Sequence, residues 1–196
     1  MFLNQSLKSY LEKLSSESPT PGGGGTSAYV GALGAALGIM VGSITIKKLE
    51  GENQQKLNQI LESLKTLEDK MAKVVDSDPE VFEELMTRYK VLKTAADAET
   101  AKQEIQKALE SSYEMQATLA ENIRETKKLI CKVGEYAKKS IRNDLVVASA
   151  LLDGAFLGAI ATARINVVSL ANPETKQCCE DILSRLEKSF KEIQFK

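Results

Sequence analysis

From Ser18 to Ile46 the chain carries no charged residue, and this stretch limits what the chain can fold into. It reads Pro19, Thr20, Pro21, then Gly22, Gly23, Gly24 and Gly25, then Thr26 and Ser27, and continues in small and apolar residues until Lys47 and Lys48. The two prolines block a helix on the left, the four glycines can take positive φ without steric cost, and Thr26 and Ser27 are good N-cap residues. The pattern predicts a tight loop feeding a helix over residues 26–49, with Gly51 marking its end. A helix N-terminus of this kind presents unpaired N–H groups and a partial positive charge to an anionic or carbonyl oxygen. Within the helix, Gly34, Gly38 and Gly42 recur every four residues, with Gly31 near the same face. One side is therefore nearly free of side chains, and another helix can approach it closely.

A second stretch, residues 145–171, is apolar and small on nearly every side, with Asp153, Arg164 and Asn166 its strongly polar members. Ala150, Gly154, Gly158 and Thr162 make another smooth stripe. Two long apolar segments with four-residue glycine spacing have the length of membrane helices. Against that reading, Asp153 and Arg164 are costly in lipid, the chain has no tryptophan to anchor at an interface, and the intervening segments are amphipathic. Both segments are expected at the centre of a soluble bundle with no membrane. Partial exposure of either in a single chain would mark a dimer interface.

The rest of the chain repeats helical spacing. Leu3, Leu7, Tyr10, Leu11 and Leu14 predict a first helix docked on the core, and Leu57, Ile60, Leu61, Leu64, Leu67, Met71, Val74 and Val75 predict a surface helix. Asp76, Ser77, Asp78, Pro79 and Glu80 carry the start signal of a new helix, a cap residue followed by proline and acid. Val81, Phe82, Leu85, Met86, Tyr89 and Leu92 continue it. From Ile105 through Leu109, Leu119, Ile123 and Ile130 to Val133 runs one long or bent helical region ending near Gly134, and Asn172 with Pro173 opens a last helix. Strand alternation and hairpin turns are scarce. The fold class is all-α, a single domain over residues 1–196.

Net charge is −1, so no basic field exists to attract nucleic acid. With no histidine in the chain, proton chemistry falls to Asp, Glu, Lys, Tyr or Cys. Cys131, Cys178 and Cys179 show neither zinc spacing nor a disulfide framework, which fits a reducing cytosol and no metal site. The N-terminus lacks the basic and apolar segments of a signal peptide, so the expected location is cytoplasmic.

The segment from Ser18 through the four glycines to Ala28, followed by Gly31-Ala-Leu-Gly-Ala-Ala-Leu-Gly-Ile-Met-Val-Gly42, resembles the start of the formiminotransferase-cyclodeaminase C-terminal family. That family includes free-standing methenyltetrahydrofolate cyclohydrolases. Asn143, Asp144 and the run to Ala148, then Gly158-Ala159 and Ile165-Asn166, are similar to its Ser-Asp-x-x-Val-Ala, Gly-Ala and Ile-Asn sequence. Residues 75–82 look like its Asp-x-Asp-x-x-Ala-Phe segment. The likeness covers nearly the whole chain in order.

The resemblance implies a helical homodimer acting on tetrahydrofolate derivatives as substrate, with no further cofactor. Family members either close 5-formiminotetrahydrofolate to 5,10-methenyltetrahydrofolate with loss of ammonia, or open the methenyl compound with water to 10-formyltetrahydrofolate. Both reactions pass through a tetrahedral carbon between N5 and N10 and move protons among those nitrogens, work suited to a partly desolvated carboxylate. Asp144 matches the family's catalytic aspartate. Gly22, Gly23, Gly24, Gly25 and Ser27 match its ligand-facing loop, Asp78 is placed to hydrogen-bond the pterin amino and ring N–H groups, and Asn166 falls in the matched Ile-Asn pair. Lys93 and Arg142, with Lys47 and Lys48, are candidates to meet the glutamate tail. The chain departs from the family pattern at Leu92, Thr94, Ala137, Lys138 and Thr162. The alternative is a divergent member that binds folate without turnover or serves as a structural dimer.

Asp144 and Asn166 are 22 positions apart, roughly 33 Å along one straight helix. No pterin spans that distance. Asn166 is then either structural or serves a different site from its own chain's Asp144, as in an antiparallel dimer whose sites draw on both chains.

Overall fold

The structure, a computed structural model, describes residues 1–195. Its elements are α1 (Leu7–Leu14), α2 (Gly23–Ile46), α3 (Gly51–Leu92), α4 (Ala98–Tyr136), α5 (Arg142–Val168) and α6 (Pro173–Lys191), with single 3-10 turns at Phe2–Asn4 and Lys139–Ile141. No strand occurs among the described residues. Helix α2 packs between α3 and α5, and α4 closes the ring against α3 and α5 from the far side. The α6 helix, capped by Asn172 with Pro173 in its first turn as expected, lies on α4 and α5.

Glycine spacing explains why α2 sits inside the ring. A Cβ added at Gly31 would stand 2.9 Å from Met71 of α3, at Gly34 2.9 Å from Leu152 of α5, at Gly38 2.9 Å from Ile130 of α4, and at Gly42 2.5 Å from Leu61 of α3. Each glycine is thus a socket filled by a neighbour's side chain, and interior packing leaves no room for another methyl group there. Leu57, Leu64, Met71, Leu119, Ile123, Leu145, Leu152 and Phe156 complete the buried core.

Four sequence expectations change. Residues 22–25 are not a positive-φ loop: Gly22 caps α2 in an extended conformation, Gly23, Gly24 and Gly25 form the first helical turn, and the positive-φ glycine is Gly51. Thr26 and Ser27 are accordingly one turn inside, their hydroxyls donating to the carbonyls of Gly22 and Gly23 at 2.8 and 2.7 Å. Pro79 begins no new helix, because α3 runs through it without a break. The carbonyl of Val75, whose usual donor Pro79 lacks, lies against Gly25, where a Cβ would stand 3.4 Å away. Helix α5 starts at Arg142, three residues ahead of the apolar stretch read as its start, so Asp144 belongs to its first turn. And α1 docks through Tyr10 with Leu14 partly buried beside the core, while Leu7 and Leu11 are exposed.

The two central helices are also not buried all round. Both are long and apolar enough to cross a membrane, yet less than half of each apolar window is buried in the bundle. Helix α2 exposes Leu33, Met40 and Ile44; α5 exposes Val146, Val147, Leu157, Ile165 and Val168. Ala150, Gly154 and Ala161 of α5 are exposed among them, so the middle of this outward face is uncharged, with Asp153 and Arg164 at its edge in ion pairs with Lys127 and with Glu180 and Glu187.

Candidate functional site

The first turn of α2 meets the middle of α3 and α4 in a hydrogen-bonded cluster. Asp78 of α3 accepts from the backbone N–H of Gly25 on Oδ2 at 2.8 Å and from Gln116 Nε2 of α4 on Oδ1 at 2.7 Å. A Cβ on Gly24 would overlap both Asp78 Oδ1 and Gln116 Nε2, so glycine is required there for close approach and not for backbone freedom. Burial pushes the Asp78 carboxyl above the ordinary aspartate range, and the bonds from Gly25 and Gln116 pull partly against that rise. The carboxylate also takes one of its two donors from the N-terminus of α2, where the helix dipole favours negative charge.

Asp78 opens into a cavity of about 390 Å³ whose walls include Gly22, Gly23, Gly24, Phe82, Thr162 and Asn166. Thr162 and Asn166 reach it because α5 packs beside α2 in the opposite direction: Gly23 lies by Thr162, Ser27 by Gly158, and Gly34 by Leu152. Asn166 is buried and donates through Nδ2 to the carbonyl of Thr162 at 3.0 Å. Pro19, Phe82, Met86 and Tyr89 line both this cavity and an outer groove of about 560 Å³, where Lys90 and Lys93 stand. The joined space thus runs from a half-buried carboxylate to two lysines across an aromatic and apolar floor. Among the described residues no cluster of three Cys, Asp or Glu side chains is placed to hold a metal ion.

Of the residues singled out from the sequence, Gly22, Gly23, Gly24, Asp78 and Asn166 line this cavity, and Lys93 lines its outer extension. Gly25 acts through its N–H, and Ser27 lies a turn deeper, its side chain against Gly158. Arg142 is elsewhere, over the Phe195 ring in a larger groove of about 820 Å³ between α4, α5 and the C-terminal segment. That groove is bigger, but it contains none of the glycine turn. Asp144 lines neither space. It is half-buried at the opposite end of α5, level with the C-terminal part of α2, after which Lys47 and Lys48 stand exposed. Eighteen residues are five full turns, so Asp144 and Thr162 share one face of α5 roughly 27 Å apart.

Gln116 was not singled out from the sequence. It falls in the apolar register of Leu109, Leu119 and Ile123, and a polar residue on a core stripe is the signal that marks it.

A family model described as formiminotransferase-cyclodeaminase matches residues 6–185. The chain belongs to the formiminotransferase-cyclodeaminase family. A relative within it, the methenyltetrahydrofolate cyclohydrolase of Methylorubrum extorquens, is 32% identical over 187 residues, covering 94% of this chain and 88% of that one. The formimidoyltransferase-cyclodeaminase of Gallus gallus is 26% identical over 182 residues, and the match takes up 34% of that longer protein. The crystal structure of formiminotetrahydrofolate cyclodeaminase from Thermotoga maritima superimposes with a TM-score of 0.87 over 97% of this chain and 92% of that one, at 23% identity. The last comparison shows that the family's all-helical fold is the fold found here.

Proposed function

We propose that this chain is an enzyme of folate one-carbon metabolism, acting as a methenyltetrahydrofolate cyclohydrolase or a formiminotetrahydrofolate cyclodeaminase in the cytoplasm. The observation that carries the reading is the joined cavity, with the Asp78 carboxylate at its inner end and Lys90 and Lys93 at its mouth. A carboxylate exchanges hydrogen bonds and protons with the ring nitrogens of an aminopterin, the Phe82 and Tyr89 walls take an aromatic linker, and lysines meet a glutamate tail. We place the cyclohydrolase first, because the relative matched along most of its length at 32% identity carries that name.

The family's aspartate, Asp144, is the proposed general acid/base, and the distance along α5 puts it out of reach of its own chain's cavity. The exposed apolar face of α2 and α5 is the surface we assign to a second copy. Two α5 helices crossing antiparallel with Gly154 and Ala155 near the two-fold axis bring residue 144 of each beside residue 166 of the other, since (144 + 166)/2 = 155. Ala150, Gly154 and Ala161 are small and outward-facing around that midpoint, which favours a close crossing. Each site then consists of the glycine turn, Asp78, Thr162 and Asn166 from one protomer and Asp144 from its partner.

In such a site, attack on the bridging carbon and cleavage of a C–N bond need protons carried between oxygen or nitrogen and N5 or N10. Asp144 of the partner subunit is a carboxylate that carries them. The test is a side-by-side assay of 5,10-methenyltetrahydrofolate and 5-formiminotetrahydrofolate, following the methenyl chromophore in the ultraviolet. Loss of the chromophore from the first compound identifies a cyclohydrolase, and its appearance from the second a cyclodeaminase. Folate binding without either change identifies a non-catalytic binding protein, the reading that the departures at Leu92, Thr94, Ala137, Lys138 and Thr162 would favour.

A further inference from the structure

The Gln116 side chain is fully buried, and only one end of its amide is engaged: Nε2 donates to Asp78, while Oε1 is buried with no hydrogen-bond partner. A buried amide is normally fixed by partners at both ends, and an orphaned acceptor in a core is costly. Exchanging the two ends here would sacrifice no second bond, so the orientation of the amide is set by Asp78 alone. The other oxygen of Asp78 has a fixed role, because the Gly25 N–H can only donate to it. A proton held on Oδ1 of Asp78 faces Gln116, and the turned amide meets it with Oε1 as acceptor.

We propose that Gln116 is a positioning residue for proton transfer in the glycine-turn cavity, holding Asp78 in place as carboxylate with Nε2–H and, after a half-turn of the amide, as carboxylic acid with Oε1. Asp78 then keeps one geometry through a change of charge, as a group passing a proton must. The inference deepens the folate reading and rests on it for the identity of the proton's donor and acceptor. In the cyclohydrolase direction, the attacking water forms its bond to the methenyl carbon and gives one proton to Asp78. As the carbon–N5 bond breaks, its electron pair stays on N5, which takes that proton back from Asp78. The remaining hydroxyl proton leaves to the second carboxylate, and from there to solvent, as the formyl C=O forms. Atoms and charge balance, and nothing is oxidised or reduced.

The surroundings leave Asp78 as the group whose titration the amide would report. Helix α1 contributes Tyr10, whose hydroxyl lies 3.3 Å from Thr26 Oγ1, and α3 contributes Asp76, which accepts from the N–H of Phe2. Helices α4 and α5 face the cavity with Ser112, Thr162 and Asn166, none of which titrates, and Glu83, Lys90 and Lys93 stand in the outer groove.

The experiment is a pH titration of the protein labelled with ¹⁵N in the glutamine side chains, with the Asp78 carboxyl carbon followed in parallel. The Gln116 amide signals should move with the Asp78 titration and become independent of pH in Asp78→Asn. Gln116 signals that stay constant while Asp78 titrates overturn the proposal. In turnover, Gln116→Met, checked for an unchanged fold by its melting curve, should lose about tenfold or more in kcat with KM within about threefold. A rise in KM at constant kcat would instead make Gln116 part of an anchoring contact and overturn the proton-transfer role. A wild-type protein that turns over neither substrate sinks the folate reading, while the amide titration still decides the role of Gln116.

Discussion

The two helices rich in small residues use their glycines in opposite ways. Along α2, Gly31, Gly34, Gly38 and Gly42 are occupied from within the chain, each by a side chain of α3, α4 or α5. Along α5, Gly154 meets nothing within 4 Å and is exposed, with Val147, Leu157 and Ile165 around it. The α2 stripe is finished by the fold; on α5 Gly158 is met by Ser27 while Gly154 stays open, where we propose that a second molecule packs. The same residue type at the same spacing therefore has two meanings, and only the neighbours distinguish them.

The largest effect is expected from filling the finished stripe. Gly38→Leu drives a side chain into Ile130, and overpacking of this kind costs about 1 to 3 kcal/mol or more. Thermal denaturation should show a clear fall in melting temperature at every protein concentration. Gly154→Leu makes the contrast sharp, since replacing an exposed helical glycine by leucine gains up to about 1 kcal/mol in helix propensity. The single chain should fold as well or better, while sedimentation shows loss of the dimer and the assay shows loss of activity. A Gly154→Leu protein that remains dimeric and active would erase the distinction between the stripes. Ile165→Glu should act in the same direction by placing a charge in the outward face, giving a folded monomer at concentrations where the wild type is dimeric.

These helices also show how far residue order could be read. Helical class and the centrality of α2 and α5 follow from periodicity and from the absence of charge. The α3 helix could not be read across Pro79, because proline after a cap residue is a start signal locally and only packing against Gly25 shows why the helix continues. The glycine turn was found for the wrong physical reason: its residues suit positive φ, but they are needed so that Asp78 and Gln116 can approach. Asp78 and Asn166 could be named but not joined, since their meeting depends on α3 and α5 packing against the same end of α2. Arg142 was named on charge alone, and charge carries no information about which end of α5 faces the cavity.

A smaller effect is expected from the Asp78 carboxylate. For Asp78, whose folded pKa is raised, both folded and unfolded states hold the proton well below pH 3.8, and burial of the charge then costs nothing. As pH rises through 3.8 the unfolded chain releases its proton first, so stability contributed at this site falls until the folded carboxyl has also ionised. Compared with Asp78→Asn, the wild type should lose relative stability across that window in denaturant melts. A relative gain across the same window would mean that the hydrogen bonds from Gly25 and Gln116 outweigh the desolvation.

The central claim is that each site takes its glycine turn from one protomer and Asp144 from the other. Asp144→Asn and Gly24→Val proteins, each inactive alone, should be mixed under conditions of verified subunit exchange and assayed for folate turnover. In the heterodimer one site carries both lesions and the other neither, so activity should return to about a quarter of the wild-type level on random reassortment. No return of activity despite exchange would contradict the claim and require Asp144 to work with the glycine turn of its own chain.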